Sequence, residues 1–450
     1  MGASAAVLTV KHEGGFCLWP TNQSEYSIVN SPFGKTGRDI VAEFVASCRK
    51  HGLRPGFYIT PVEDGWTMQQ QPSINSSAFV AKEIAMFKEL LGGSYGDDIE
   101  RTWWDHYPDG CGMSASGGFR SSCPKGAFPT AYEEVIAAVR KDAPHVLITN
   151  GPDAANLRDQ SVEGNGYYPI WNSCELDPNF AQSMRVCKKF GPGLPTWVPR
   201  QAPDSIQSGP HGQDWFWHPD ANISIMTASH IWQRWVEIVG GGSHYLLNVP
   251  PNSSGLIPQA YADVVKVFGD GLRSSIGSPV AQLANHSGPC ETPVVLNLPP
   301  GGERAVDLIL VREDVSTHGQ KIAKYALDAL QANGAWSTLT VEQRPGVPNA
   351  AELGGIPPLQ LTVGHRVVDL LKAPLGKDVK AVRFRCLSVN GTGDNRIHIA
   401  SLLATSRPVF SDAVTIKTDD TAVHEFNSGG PNDPGGPPVA ALGGGPCLSV

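Results

Sequence analysis

What most constrains this chain is an alternation that runs from its first residues to about position 275. Short apolar runs at 5–10, 55–60, 101–105, 146–150, 196–199 and 244–249 are separated by segments with helical apolar spacing. Segment 39–51 sets Ile40, Val41, Phe44, Val45 and Cys48 on one helical face, and 78–91, 131–141, 224–239 and 259–268 repeat the device. Strands that alternate with helices are joined by right-handed crossovers, which predicts a parallel sheet. Several such units in this length fit a (β/α)8 TIM-like barrel, whose active site lies at the C-terminal ends of its strands. A doubly wound open sheet is the alternative, but no Gly-rich phosphate turn follows the first run.

From about 278 to 408 the style changes. Short strand-like runs at 294–298, 305–310, 359–363, 366–371, 379–386 and 397–400 follow one another with turn residues between them. That pattern predicts an antiparallel β-sandwich. A chain of 450 residues exceeds one ordinary core. The expected division is a barrel over 1–275, a sandwich over 276–410 and a Gly/Pro-rich, disordered tail over 411–450.

Charge removes several classes of partner. A formal net charge of -8 argues against nucleic acid and anionic membrane surfaces. No apolar run approaches the roughly 20 residues of a membrane span. Nine cysteines show neither a Cys-x-x-Cys pair nor a zinc spacing, so no metal or cofactor is expected. Cys111 and Cys123 flank a Gly/Ser-rich loop that a disulfide could close. Asn-x-Ser/Thr sequons at Asn22, Asn75, Asn222, Asn252, Asn285 and Asn390 suit a secreted or lysosomal/vacuolar route, although sequons also arise by chance. No signal peptide is visible at the start.

Under the barrel reading, strand ends deliver the chemistry: Lys11-His12-Glu13 after the first run, Trp103-Trp104-Asp105-His106 after the third, and Asn248 in the last. A carboxylate behind two tryptophans is costly to bury unless its charge is used or paired. The bland roles for Asp105 are a helix cap or a structural ion pair. Trp19, Tyr58, Trp104, Tyr107, Trp171, Trp215, Phe216 and Trp217 suit stacking on a sugar ring, and equally suit core packing.

These residues resemble a known family. His12 through Pro20, with Tyr26-Ser27 and Asn30-Ser31-Pro32, is similar to the Lys-His-(His)-x-Gly-Phe-x-Leu-Trp-Pro stretch of α-L-fucosidases of glycoside hydrolase family 29. The likeness continues through Asp39-Ile40-Val41, Gly56-Phe57-Tyr58-Ile59-Thr60, Gly151-Pro152-Asp153, Tyr168-Pro169-Ile170-Trp171-Asn172, Trp215-Phe216-Trp217-His218 and Leu246-Leu247-Asn248-Val249-Pro250-Pro251. The order of the motifs is preserved.

The resemblance implies a retaining double displacement on terminal α-L-fucose of a fucosylated glycan or glycoconjugate. Asp105 stands where the family places its nucleophile, and Glu163, in Val162-Glu163-Gly164-Asn165-Gly166, is the nearest match to the acid/base. His12, Glu13, Trp19, Tyr58, Trp104 and Trp217 are the implied substrate-binding residues.

Three features depart from the family pattern. The strand ending in His-Trp-Gly that usually comes first is absent, so the barrel is expected to lack a strand and to leave two unpaired edges. Glu13 replaces a second His, and Gln201 stands where a Glu follows Trp-Val-Pro elsewhere. The rival readings are an inactive, glycan-binding pseudo-fucosidase and a metal-dependent hydrolase using His12, Asp105 and His106.

Overall fold

The structure, a computed structural model, describes residues 2–12, 14–60, 77–104, 129–149, 161–162, 200–209, 212–219, 223–301, 305–342, 363–389, 394–410 and 447–449. The first part alternates as the sequence predicts. β1 (Ala5–Lys11), α1 (Ile40–Lys50), β2 (Arg54–Ile59), α2 (Ser77–Leu91), β3 (Arg101–Trp104), α3 (Pro129–Asp142), β4 (Leu147–Thr149), β5 (Ser161–Val162) and β6 (Arg200–Ser205) come in order. A small sheet of β7 (Gln207–Gly209), β8 (Gly212–Gln213) and β9 (Ser224–Ile225) precedes α4 (Ala228–Ile238), β10 (His244–Asn248) and α5 (Gln259–Ser275). Asp39 starts α1 by accepting the backbone N–H groups of Val41 and Ala42.

Helix α4 begins later than the spacing predicts. Thr227 accepts the N–H of His230 and fixes the start at Ala228, while Ser224–Ile225 pairs as a strand. Helix α5 runs on to Ser275, beyond the expected end at 268. Strand β6 was not anticipated as such, and the run at 196–199 lies outside the described residues.

The main sheet has the order β4-β3-β2-β1-β19-β10-β6-β5, where β19 is Cys447–Ser449. The other seven strands are mutually parallel, and β19 runs antiparallel to both β1 and β10. Ala6 and Leu247 both pair with Leu448. A segment from the end of the chain thus stands between β1 and β10, the place where the sequence predicts two unpaired edges. The rest of the expected disordered tail, 411–446, lies outside the described residues.

Strand alternation sorts the side chains onto two faces. Leu8, Val10, Phe57, Ile59, Trp104 and Ile148 pack outward onto Val41 and Val45 of α1, Met86, Phe87 and Leu90 of α2, and Val139 of α3. Tyr245 and Leu247 do the same against Ile231 and Trp235 of α4 and Phe268 of α5. Each such aliphatic or Phe side chain contributes about 1.5–3 kcal/mol by leaving water. Lys11 also turns outward, where its ammonium meets the buried carboxylate of Glu83 at 3.1 Å. The opposite face brings Val7, Tyr58, Trp103 and Leu246 together.

That second face is an interior. Trp103 Nε1 donates to Gln201 Oε1 at 2.5 Å, although β3 and β6 stand five places apart in the sheet. A flat sheet would hold those strands ~24 Å apart at 4.7–4.9 Å per strand. The sheet therefore curls around its inner side chains.

Beyond α5 the chain forms two four-stranded antiparallel sheets. β11 (Ala281–Pro289), β18 (Arg396–Thr405), β13 (Leu308–Glu313) and β16 (Val367–Leu370) make one. β12 (Val294–Asn297), β17 (Ala381–Val389), β14 (Ile322–Leu330) and β15 (Trp336–Thr338) make the other. They share one core, with Ile309, Ile399 and Val367 facing Leu296, Phe384 and Tyr325, which is a β-sandwich. A disulfide joins Cys290 to Cys386. Leu308, Leu310, Val368 and Leu403, on the other face of the first sheet, pack onto α4 and α5 and fix the sandwich to the parallel unit. Strands β11 and β14 escaped the sequence reading, because AQLANHSGP and IAKYALDAL carry little period-two signal.

Candidate active site

The inner face can be followed from the N-terminal ends of the strands to the C-terminal ends. At the floor, Gln201 Nε2 lies 2.7 Å from His244 Nδ1, and Arg101 Nη1 lies 3.4 Å from the same nitrogen. Two donors converge on Nδ1, so the ring accepts there. Burial, with the Arg101, Arg54 and Arg366 guanidinium groups adding to it, holds His244 well below the usual imidazole range. The ring is neutral, and Gln201 is tied to it on one side and to Trp103 on the other.

Above this floor three rings from adjacent strands form a column. Trp103 and Tyr58 stack with centroids 5.0 Å apart and planes 15° apart. Tyr58 and His12 stack at 5.3 Å and 5°. Phe216 closes the column from the side, edge-on to His12 at 5.4 Å. Tyr58 has both faces covered by its neighbours, so the column offers a sugar its ring edges and the His12 imidazole, which can exchange hydrogen bonds with hydroxyl groups.

Phe216 is held by its backbone. Three consecutive carbonyls are each captured by a side chain from the strands beneath: Asp214 by Ser205 Oγ, Trp215 by Asn248 Nδ2, and Phe216 by Gln207 Nε2. Asn248 also donates to Ser205 Oγ at 3.1 Å, and the Tyr261 hydroxyl of α5 bonds Gln207 Oε1. Asp214 bonds His218 at 3.2 Å across the same loop. Backbone capture of this kind fixes a loop without using its side chains, so the ring of Phe216 is presented in one place.

The expected substrate-binding residues divide accordingly. His12 and Tyr58 are brought together on the inner face. Trp104 is not: it is fully buried against Phe87 of α2, with its indole N–H on Thr102 Oγ1 at 2.9 Å. Its position in β3 has the outward parity, and Trp103 takes the inward place. Trp19 is likewise buried in the helix-facing core and donates to Glu89 at 2.9 Å. Trp217 packs against the α4/α5 core, while its neighbour Phe216 meets His12. Trp19 and Trp104 are therefore corrected to packing positions, and Trp217 is half-buried beside Phe216. Asp105, Glu163, Glu13 and His106 lie outside the described residues, as do Cys111 and Cys123.

Strand parity, applied to Trp103-Trp104, is the signal that finds Trp103. Gln201 is marked in the sequence only as a departure from the family pattern, and nothing local announces Ser205 or Gln207. Among the described residues no cluster of three or more His, Cys, Asp or Glu side chains is arranged to hold a metal ion, and no helix is long and apolar enough to cross a membrane.

A parallel α/β sheet curled around an aromatic and polar interior, with a β-sandwich fixed to its helices, is an architecture that known proteins share. A glycoside hydrolase 29 family member from an unknown rumen bacterium superposes with a TM-score of 0.66 at 22% identity, covering 92% of this chain and 68% of that one. A Ruminococcus gnavus GH29 fucosidase solved in complex with fucose superposes with a TM-score of 0.62 at 17% identity, covering 89% and 82%. At these identities the likeness establishes the fold. In sequence, alpha-L-fucosidase 1 of Arabidopsis thaliana is 27% identical over 292 residues, which is 63% of this chain and 51% of that protein. The chain thus spans about half the length of the curated relatives it matches. The alpha-L-fucosidase family model matches residues 1–275, and the chain belongs to that family of glycoside hydrolases.

Proposed function

We propose that this chain is a retaining α-L-fucosidase that removes terminal α-L-fucose from a glycan or glycoconjugate. The observation that carries the reading is the ring column of His12, Tyr58 and Trp103 at the C-terminal ends of β1, β2 and β3. Trp103 faces inward and Trp104 outward, which supports a role for the next residue in the sequence, Asp105, beside the rings. Asp105 would then attack the anomeric carbon of a sugar held beside the rings, forming a covalent fucosyl-enzyme. Glu163 would protonate the leaving oxygen and then activate water, a pairing that requires the two carboxyl groups about 5–5.5 Å apart.

The same proposal takes residues 1–275 as a closed (β/α) barrel, with β19 standing in for a strand. Residues 276–410 brace it. The Cys290–Cys386 disulfide supports a secreted or lysosomal/vacuolar setting.

A second reading, a fucose-binding protein without turnover, is favoured by Gln201. Where a Glu follows Trp-Val-Pro in the family pattern, this chain has a neutral amide tied between Trp103 and His244. An assay on an aryl α-L-fucoside separates the two. The fucosidase reading expects turnover that Asp105→Ala lowers by roughly 10³-fold or more. Fucose binding without turnover in the unaltered chain would establish the second reading instead.

A further inference from the structure

Strand β11 sits at the edge of its sheet and pairs with β18 alone in the strand order. Its ladder has one gap. Ala284 pairs with Ser401 and His286 with Ile399, while Asn285 between them is out of the pairing and the register continues unchanged. Asn285 has φ 55, and it is the one non-glycine residue with positive φ among the described residues. Asparagine is among the few side chains that accept the left-handed region at low cost. The Asn285 side chain is exposed.

Asn285-His286-Ser287 is also a sequon. The other described sequons are placed differently. Asn252 is half-buried, and its Oδ1 accepts the N–H groups of Ser254 and Leu256. Asn22 is exposed, but it lies in the segment that Glu89 holds through Asn22 N and Thr21 Oγ1. Just beyond β11, Cys290 is joined to Cys386. A disulfide across 96 residues of sequence belongs to a chain that matures under oxidising conditions, where N-glycosylation also occurs.

We propose that Asn285 carries an N-linked glycan. The donor is a lipid diphosphate-linked oligosaccharide. Asn285 Nδ2 forms the bond to the anomeric carbon of the first sugar as the bond from that carbon to the diphosphate oxygen breaks. The amide gives up one proton to a base of the transferase, the lipid diphosphate leaves, and nothing is oxidised or reduced. The product stands beside an edge of β11 that has no strand partner among the described residues, and it would keep a second strand from pairing there.

The test is expression of the full chain behind a secretory leader in a eukaryotic host. The secreted protein is treated with peptide-N-glycosidase F in 18O water and analysed by peptide mass spectrometry. The expected result is an 18O-labelled Asp at position 285, with the same gain in gel mobility for Asn285→Gln and Ser287→Ala. Ser287→Ala keeps the asparagine and its positive φ, so a folding defect in Asn285→Gln does not obscure the answer. Recovery of the secreted peptide with unmodified Asn285 overturns the proposal.

Discussion

Trp103 and Gln201 are joined by a 2.5 Å hydrogen bond across the inside of the sheet, from β3 to β6. Both side chains are buried, and Gln201 also reaches His244. The bond ties the ring column to the floor, so the amide sets where the column stands. Gln201→Leu leaves the indole N–H and His244 Nδ1 each short of a partner. The expected cost is about 1–3 kcal/mol of stability, read by denaturant unfolding, because buried polar groups lose their bonds. Unchanged stability would mean that the bond does not hold the interior together.

The two adjacent tryptophans separate kinetics from packing. Trp104→Phe removes the bond to Thr102 from the helix-facing core and should lower stability by about 1–3 kcal/mol. Its kcat/KM on an aryl α-L-fucoside should stay within about twofold of the unaltered chain. Tyr58→Leu breaks the stack between His12 and Trp103 and should lower kcat/KM by about tenfold, mainly through KM. The reverse pattern would move the sugar site to the other face of the sheet.

Much of this arrangement was legible in the sequence. Helical spacing placed α1, α2 and α5, and apolar runs placed β1, β2, β3 and β10, because each element buries one face and the period records it. Strand alternation puts Trp103 and Trp104 on opposite faces, and the packing of Trp104 against α2 shows which of the two turns inward. Trp19 and Trp217 could not be assigned that way, since each follows a strand in irregular chain. Gln201 and His244 meet only because the sheet curls, and β19 pairs with strands more than 190 residues away. No local pattern carries either contact.

Strand β19 gives its own test. Deletion of residues 447–450 removes the pairing of Cys447, Leu448 and Ser449 with Val7, Ala6 and Ala5 on one side and with Asn248, Leu247 and Leu246 on the other. Bare strand edges are templates for association. The shortened chain should lose roughly 1–3 kcal/mol of stability and associate with rising concentration, as seen by thermal melts and light scattering. A monomeric deletion variant with an unchanged Tm would show that β19 does not complete the sheet.

Glu313 makes the sandwich sensitive to pH. The carboxylate accepts backbone N–H groups from Lys321, Ile322 and Gly364, yet burial outweighs them and pushes its pKa up to about 8 from an ordinary 4.5. The folded state then holds a proton that the unfolded state releases, so this contribution is complete below about pH 4.5 and is lost as pH rises toward 8. Unfolding followed from pH 4.5 to 8 should show stability falling by a few kcal/mol, on the order of 1.4 per pKa unit. Glu313→Gln should flatten the slope, and an unchanged slope would assign the pH dependence to other groups.

The central claim, that Asp105 becomes bonded to fucose, can be read directly. An activated 2-deoxy-2-fluoro-L-fucosyl donor slows breakdown of a covalent glycosyl-enzyme and lets it accumulate. Intact-mass and peptide analysis should find one fluorofucosyl group per chain, on the peptide containing Asp105, with activity lost in step. An adduct on another residue, or none at all, would contradict the account.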